Sequence, residues 1–398
     1  MRIGMFTDSY FPQISGVSTS IKILKDELEA RGHEVIIFTT TDPHAVVEPN
    51  IVRLTSIPFL SFKERRIAIK GFSKALKEAK KYKIDIIHTH TEFSLGIAGK
   101  YVAKMLDIPS IHTYHTMYEK YVHYIARGKI IRKNDVIRLS RIFCNRTAGI
   151  IVPSQLMKEM LMDYGVKAEI RVIPTGIPIP EAIPGIREKM RQQLGLKDDE
   201  IVLLSLSRLA YEKNLHKTIN AFPAVLKKYP NAKLVFAGDG PAREDLETLV
   251  RDSKLTDSIS FVGEVAYEAV PNYYQMADVY VNASESETQG LTYLESIVNG
   301  CPVVAKRNDY LSEIIRNPLL GSLFTEDDEM AEHIIQTIEK TQSNQQQLEE
   351  AELIREISAE TFSKRVLSYY RNVIANHVFE TEKKKTTILM RKIKQINR

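Results

Sequence analysis

Short apolar runs closed by polar or turn residues recur along the first half of the chain. Met1–Thr7 ends in Asp8, Pro12 and Gly16, and Ile21, Leu24 and Leu28 follow at helical spacing, which predicts strand, loop, helix. Val35–Thr39, Ile84–Thr89, Ser110–Tyr114 and Gly149–Val152 repeat the theme. Strands this apolar, alternating with helices, belong to a parallel sheet covered on both faces, so the fold class is α/β. The Pro-rich stretch Pro174–Pro180, with Pro184 and Gly185 beyond, continues neither a helix nor a central strand and reads as a linker. Past it the pattern restarts in Ile201–Leu206, Lys233–Ala237, Ile259–Val262, Asp278–Asn282 and Pro302–Ala305. Residues from Glu329 through His377 read as helical, with Gln-rich Thr341–Gln347 as a surface turn or exposed helix. Two α/β domains follow, 1–175 and 176–369.

With 398 residues, 43% apolar and 26% charged, the chain is globular with two or three domains, and disorder is excluded for most of its length. No run approaches the ~20 apolar residues of a membrane span, and Asp8 and Pro12 break the first strand too early for a signal peptide. The expected location is therefore cytoplasmic. Cys144 and Cys301 make neither a disulfide framework nor a zinc motif, and are expected reduced and buried. Charge is unevenly spread. Residues 1–180 carry 27 Lys+Arg against 17 Asp+Glu, and 383–398 carry seven cations and no acid, so the intervening part is net −12. That asymmetry points to an anionic surface, membrane or nucleic acid, or to plain solubility.

Open parallel sheets bind ligands beyond the carboxyl ends of their strands. In the first domain Gly16, at a helix entrance, is either a close-approach glycine for an anion or a turn glycine. His88, His90, His112 and His115 follow two strands; metal ligation and hydrogen bonding to a substrate are both open, with no H-E-x-x-H motif or D-x-D partner to favour metal. In the second, Arg208 and Lys213 sit in a strand-to-helix loop, where two cations can meet a diphosphate or simply be solvated. Ser284–Glu295 joins a strand to a helix starting near Gly290, whose amides at Gly290, Leu291 and Thr292 suit phosphate oxygens. Glu287 precedes that helix and Glu295 lies about 7.5 Å along it, spaced to hold opposite ends of an extended ligand or to be ordinary surface acids.

Taken together, Pro12-Gln-Ile-Ser-Gly16-Val17, Thr113-Tyr-His115, Arg208 with Lys213, Gly238-Asp-Gly-Pro241 and Glu287-x7-Glu295 resemble the retaining glycosyltransferases of the GT-B fold, glycosyltransferase family 4. The resemblance implies two Rossmann-like domains facing across a cleft, with the last helix, about 370–398, crossing back to the first. It implies a sugar nucleotide on the second domain: Arg208 and Lys213 on the diphosphate, Gly290–Thr292 donating to it, Glu295 on the ribose, Glu287 on the sugar hydroxyls and Val265 at the base. Gly16 would border the donor and His115 would contact the sugar near its reacting end. A departing nucleotide stabilised by cations and amides requires no metal and no further cofactor.

Ser61–Lys83 holds nine cations against two acids, with Ile69, Phe72, Leu76 and Ala79 at helical spacing; Arg127–Arg146 and the tail, with Leu389, Ile393 and Ile396, repeat the theme. These are either amphipathic membrane-binding segments or core-packed helices with charged outer faces. Ile111–Tyr124 looks most like the bacterial diacylglycerol glucosyltransferases, which implies UDP-glucose as donor, diacylglycerol as acceptor and monoglucosyl diacylglycerol as product. Lys63, Arg65, Arg66, Lys70, Phe72, Tyr118, Tyr121, Arg127 and Lys129 would then form the acceptor and membrane face, placing the protein peripherally on anionic lipids at the inner face of the membrane. A soluble glycosyltransferase for other acceptors and a non-catalytic sugar-nucleotide or nucleic-acid binder are the alternatives. No stacking platform accompanies the cations, so nucleic acid is not expected.

Overall fold

The computed structural model describes residues 1–59, 62–117, 133–181, 183–285, 287, 289–343 and 351–396, without the side chains of 62–65, 342–343, 351 and 384–396. The chain forms two units, Met1–Gly176 with Ala359–Arg398, and Ile177–Ser358.

The first unit contains strands β1 (Arg2–Phe6), β2 (Glu34–Thr40), β3 (Ile51–Leu54), β4 (Ser56–Phe59), β5 (Phe62–Ala68), β6 (Ile86–Thr89), β7 (Ser110–Thr113), β8 (Gly149–Val152) and β9 (Ile170–Val172). Its helices are α1 (Gly16–Ala30), α2 (Phe72–Tyr82), α3 (Ser94–Leu106), α4 (Lys133–Cys144) and α5 (Gln155–Asp163). Seven strands make a parallel sheet in the order β3-β2-β1-β6-β7-β8-β9, while β4 and β5 form a separate antiparallel hairpin. Successive residues point to opposite faces. Ile3, Met5, Val35, Ile37 and Ile86 pack on one side with α1, and Phe6, Ile36, Phe38 and Ile87 on the other with α2 and α3.

The second unit contains α6 (Ile186–Gln193), β10 (Ile201–Leu206), α7 (Leu215–Lys228), β11 (Ala232–Ala237), α8 (Arg243–Asp252), β12 (Ile259–Gly263), α9 (Val270–Met276) and β13 (Val279–Asn282). It continues with α10 (Leu291–Val298), β14 (Val303–Lys306), α11 (Asp309–Ile314), β15 (Gly321–Phe324), α12 (Met330–Ser343) and α13 (Ala351–Ile357). Its six parallel strands run β12-β11-β10-β13-β14-β15.

The final helix, α14 (Ala359–Ile396), belongs to the first unit. Phe362, Val366, Tyr369, Tyr370 and Val373 form one helical face buried with α1 and the sheet, each such side chain worth ~1.5–3 kcal/mol. The return therefore begins at Ala359, not near 370, because these residues complete that core. The first boundary falls after Gly176.

Two expectations fail here. Residues 62–68 form β5, so the basic stretch read as one helix from Ser61 contains a strand, and Ile69 stands exposed outside α2. On α2 itself Ala75 and Ala79 are buried and Phe72 and Leu76 pack against the same core, so its apolar face is used inward. Both cysteines are buried and unpaired with each other, and burial raises the Cys301 thiol to about 12. No helix among the described residues is long and apolar enough to cross a membrane.

Candidate active site

In the second sheet the strand order reverses between β10 and β13, the position where open α/β sheets take ligands. The loops after these two strands carry the expected residues. Arg208 is exposed beside Glu212, 4.0 Å away. Lys213 ends a short 3-10 turn and its ammonium pairs directly with Glu287. The groups expected to hold the diphosphate and the sugar hydroxyls are therefore neighbours, and lysine keeps further N–H bonds to give a phosphate.

Gly290 sits before α10 with φ +74, and a Cβ there would lie 2.3 Å from the Tyr293 ring, so both conformation and space demand glycine. No side chain among the described residues caps α10, which leaves first-turn amides such as Leu291 and Thr292 for an outside anion. Glu295, the fifth residue of α10, accepts from the Tyr274 hydroxyl at 3.2 Å, and burial pushes its carboxyl up to about 7. That is not the behaviour of an ordinary surface acid. Val265 follows β12, half-buried against the core. The neighbouring loops are pinned by backbone bonds from Leu209 to Asp239 at 3.0 Å and from Gly238 to Gly263 at 2.7 Å. Gly238 is required there, since its Cβ would strike the Ser207 carbonyl oxygen at 2.0 Å.

The first sheet reverses between β1 and β6. Gly16 opens α1 behind a Ser15–Ser18 capping box, and a Cβ on it would meet nothing within 4 Å. His115, just past β7, shares a 3.0 Å hydrogen bond between its Nε2 and His90 Nδ1, and burial with His112 nearby pushes its pKa down to about 3. A neutral imidazole hydrogen-bonds substrate without adding charge. His88 has both ring nitrogens engaged, by Tyr370 at 2.6 Å and Thr113 at 2.7 Å, so it ties α14 to the sheet. His112 contacts Glu92 at 3.1 Å.

Two residues, Asp8 and Tyr274, escaped the sequence reading, as did the contact that His90 makes. Asp8 accepts from the Thr91 and Ser94 hydroxyls and from the Leu95 amide, capping α3 from another strand's end; its place right after an apolar strand was the available signal. His90 holds His115, and Tyr274 holds Glu295. No local pattern marks either partnership.

The acceptor set is only partly assembled. Phe72 is half-buried, its ring 6.1 Å from that of Tyr101 on α3 and packed on the core beneath. Arg66 is spent on Ser56 of the β4–β5 hairpin, at 2.9 and 3.0 Å. Met117 is buried with Tyr114. Lys70 is exposed. Tyr118, Tyr121, Arg127 and Lys129 lie outside the described residues, as do the side chains of Lys63, Arg65, Leu389, Ile393 and Ile396.

The Glycosyltransferase Family 4 profile matches residues 14–180, and Glycosyl transferases group 1 matches 186–353. Over 99% of its length the chain is 47% identical to alpha-monoglucosyldiacylglycerol synthase of Streptococcus pneumoniae, covering 90% of that protein. The chain belongs to glycosyltransferase family 4. A second relative of the same name, from Acholeplasma laidlawii, is 33% identical over 84% of the chain and 87% of its own length. The fold of this family 4 glycosyltransferase is that of GT-B enzymes. Anabaena HepE in complex with UDP-glucose superposes with a TM-score of 0.74 at 20% identity, over 94% of this chain and 100% of that one.

Proposed function

We propose that this family 4 glycosyltransferase moves glucose from UDP-glucose to the 3-hydroxyl of 1,2-diacylglycerol, with retention at the sugar carbon, making monoglucosyl diacylglycerol as a peripheral protein on the inner face of the cell membrane. One observation carries the donor half: the Lys213–Glu287 pair stands on the loops flanking the β10/β13 reversal, with the start of α10, uncapped by any side chain among the described residues, and the half-buried Glu295 on the same segment. The names of the two synthases support the acceptor half.

In this reading Arg208 and Lys213 and the α10 amides take up the negative charge that grows on the diphosphate as the bond to glucose breaks. Glu295 accepts from the ribose hydroxyls, Glu287 orients the glucose hydroxyls, and His115 hydrogen-bonds the sugar near its reacting carbon. The acceptor hydroxyl attacks from the face the diphosphate leaves, and its proton passes to the departing phosphate oxygen. No metal is required. Labelled UDP-glucose supplied with diacylglycerol in anionic vesicles tests this: a monoglucosyl lipid is expected. Labelling of soluble sugars alone would reject the lipid acceptor. Glu287→Gln should abolish turnover while UDP still binds.

A further inference from the structure

We propose that the outward side of the α2–α3–α4 layer is the surface that docks on an anionic lipid bilayer, with Phe93, Ile97, Tyr101 and Met105 entering the acyl boundary. The choice of a bilayer as occupant rests on the lipid-acceptor reading; the choice of face rests on the following geometry.

The amphipathicity of α3 is inverted. Its buried side is mostly small: Gly96, Ala98, Gly99 and Ala103, with Leu95 and Val102. Those residues let the helix lie tight on the sheet, since a Cβ on Gly96 would strike the Thr91 carbonyl oxygen at 1.9 Å and one on Gly99 would come within 2.8 Å of Thr89. Its bulk lies outside instead. Phe93 is 49% exposed, Ile97 53%, Tyr101 38% and Met105 53%, spaced every four residues into one row. On α4, Leu139 and Ile142 are also exposed. A contiguous apolar row exposed to this extent marks an interaction surface.

Charge names that partner. Helices α2, α3 and α4 hold nine lysines and arginines against Glu78 and Asp135, and every cation but Lys100 is exposed. On the opposite face α1 has two lysines against three acids and the packed part of α14, residues 359–373, three cations against Glu360, while α5, on the same face as α4, has one lysine against two acids. An apolar row within a cationic field fits the headgroup and upper acyl region of anionic lipid, and protein surfaces of ordinary composition far less. The element that enters is thus α3, with α2 and α4 as its charged flanks.

The chain has no tryptophan, so a single one reports its own surroundings. Ile97→Trp and, as control on the opposite face, Ala30→Trp are mixed with phosphatidylglycerol–phosphatidylcholine vesicles carrying brominated acyl chains. Blue-shifted, quenched emission is expected from position 97 and none from position 30. Ile97→Asp should weaken vesicle partitioning roughly ten- to a hundredfold, with UDP binding retained. If the protein sediments with vesicles yet position 97 is neither shifted nor quenched, this face is wrong and the lipid reading stands. If the unaltered chain does not bind vesicles even at low salt, both fall. If Ile97→Asp instead dissociates a dimer and leaves vesicle binding intact, the row is a self-interface and the proposal is overturned.

Discussion

Glu295 and His115 are ionisable groups whose surroundings hold them away from their usual behaviour. The Glu295 carboxyl, raised to about 7 by burial, is easiest to keep in its neutral form. Its contribution to stability is complete below the ordinary glutamate range and is lost as pH rises through about 7. In the proposed reading the ribose hydroxyls donate to this group as a carboxylate, so UDP affinity is expected to rise with pH across that window, and calorimetric titrations between pH 5.5 and 8.5 would detect it. Glu295→Gln should flatten the dependence and weaken UDP by ~1.5–3 kcal/mol. His115, held neutral down to about pH 3, should contribute no limb near pH 6.5 to the rate profile, and His115→Ala should lower kcat roughly a hundredfold. The sequence made these two residues readable because each sits in a recognisable motif, His115 just past a strand and Glu295 in the helix after one. It hid Tyr274 and the bond from His90 to His115, contacts made across 21 and 25 residues.

Individual elements carry a different lesson. Alternation of apolar runs located the strands that lie in the middle of each sheet, whereas β3 and β9 at the sheet edge are short and only partly buried, so their pattern is weak. The α2 segment misled because helical spacing of apolar residues is the same whether the partner is a core or a membrane; only packing tells them apart. Gly290→Ala, with strain at φ +74 and a clash with Tyr293, should disorganise the start of α10 and cost UDP affinity at least tenfold, measurable by the same calorimetry. Asp8 plays the cap that Phe93 lacks on α3. Asp8→Ala is expected to destabilise that helix by ~1–3 kcal/mol, read as faster amide exchange in Ser94–Leu106. Asp8→Asn should be milder, because burial already draws the carboxyl up to about 6 and toward its neutral form.

At the scale of the molecule, composition and periodicity gave two parallel α/β units and a proline-rich junction, and the family resemblance added the returning helix. Its true start at Ala359 was illegible because Phe362 to Tyr370 fit a helix of either unit equally well. The electrostatic account of the leaving group predicts that turnover persists undiminished in excess chelator, whereas a strict requirement for a divalent ion would refute it. The helix that returns also has a bearing on how the chain is made. A ribosome completes residues 177–358, an entire sheet with its helices, while the core begun by Met1 still lacks Phe362, Tyr369 and Tyr370. The portion synthesised first is thus the last to close, and until then an apolar sheet face stays open to chaperones and to aggregation.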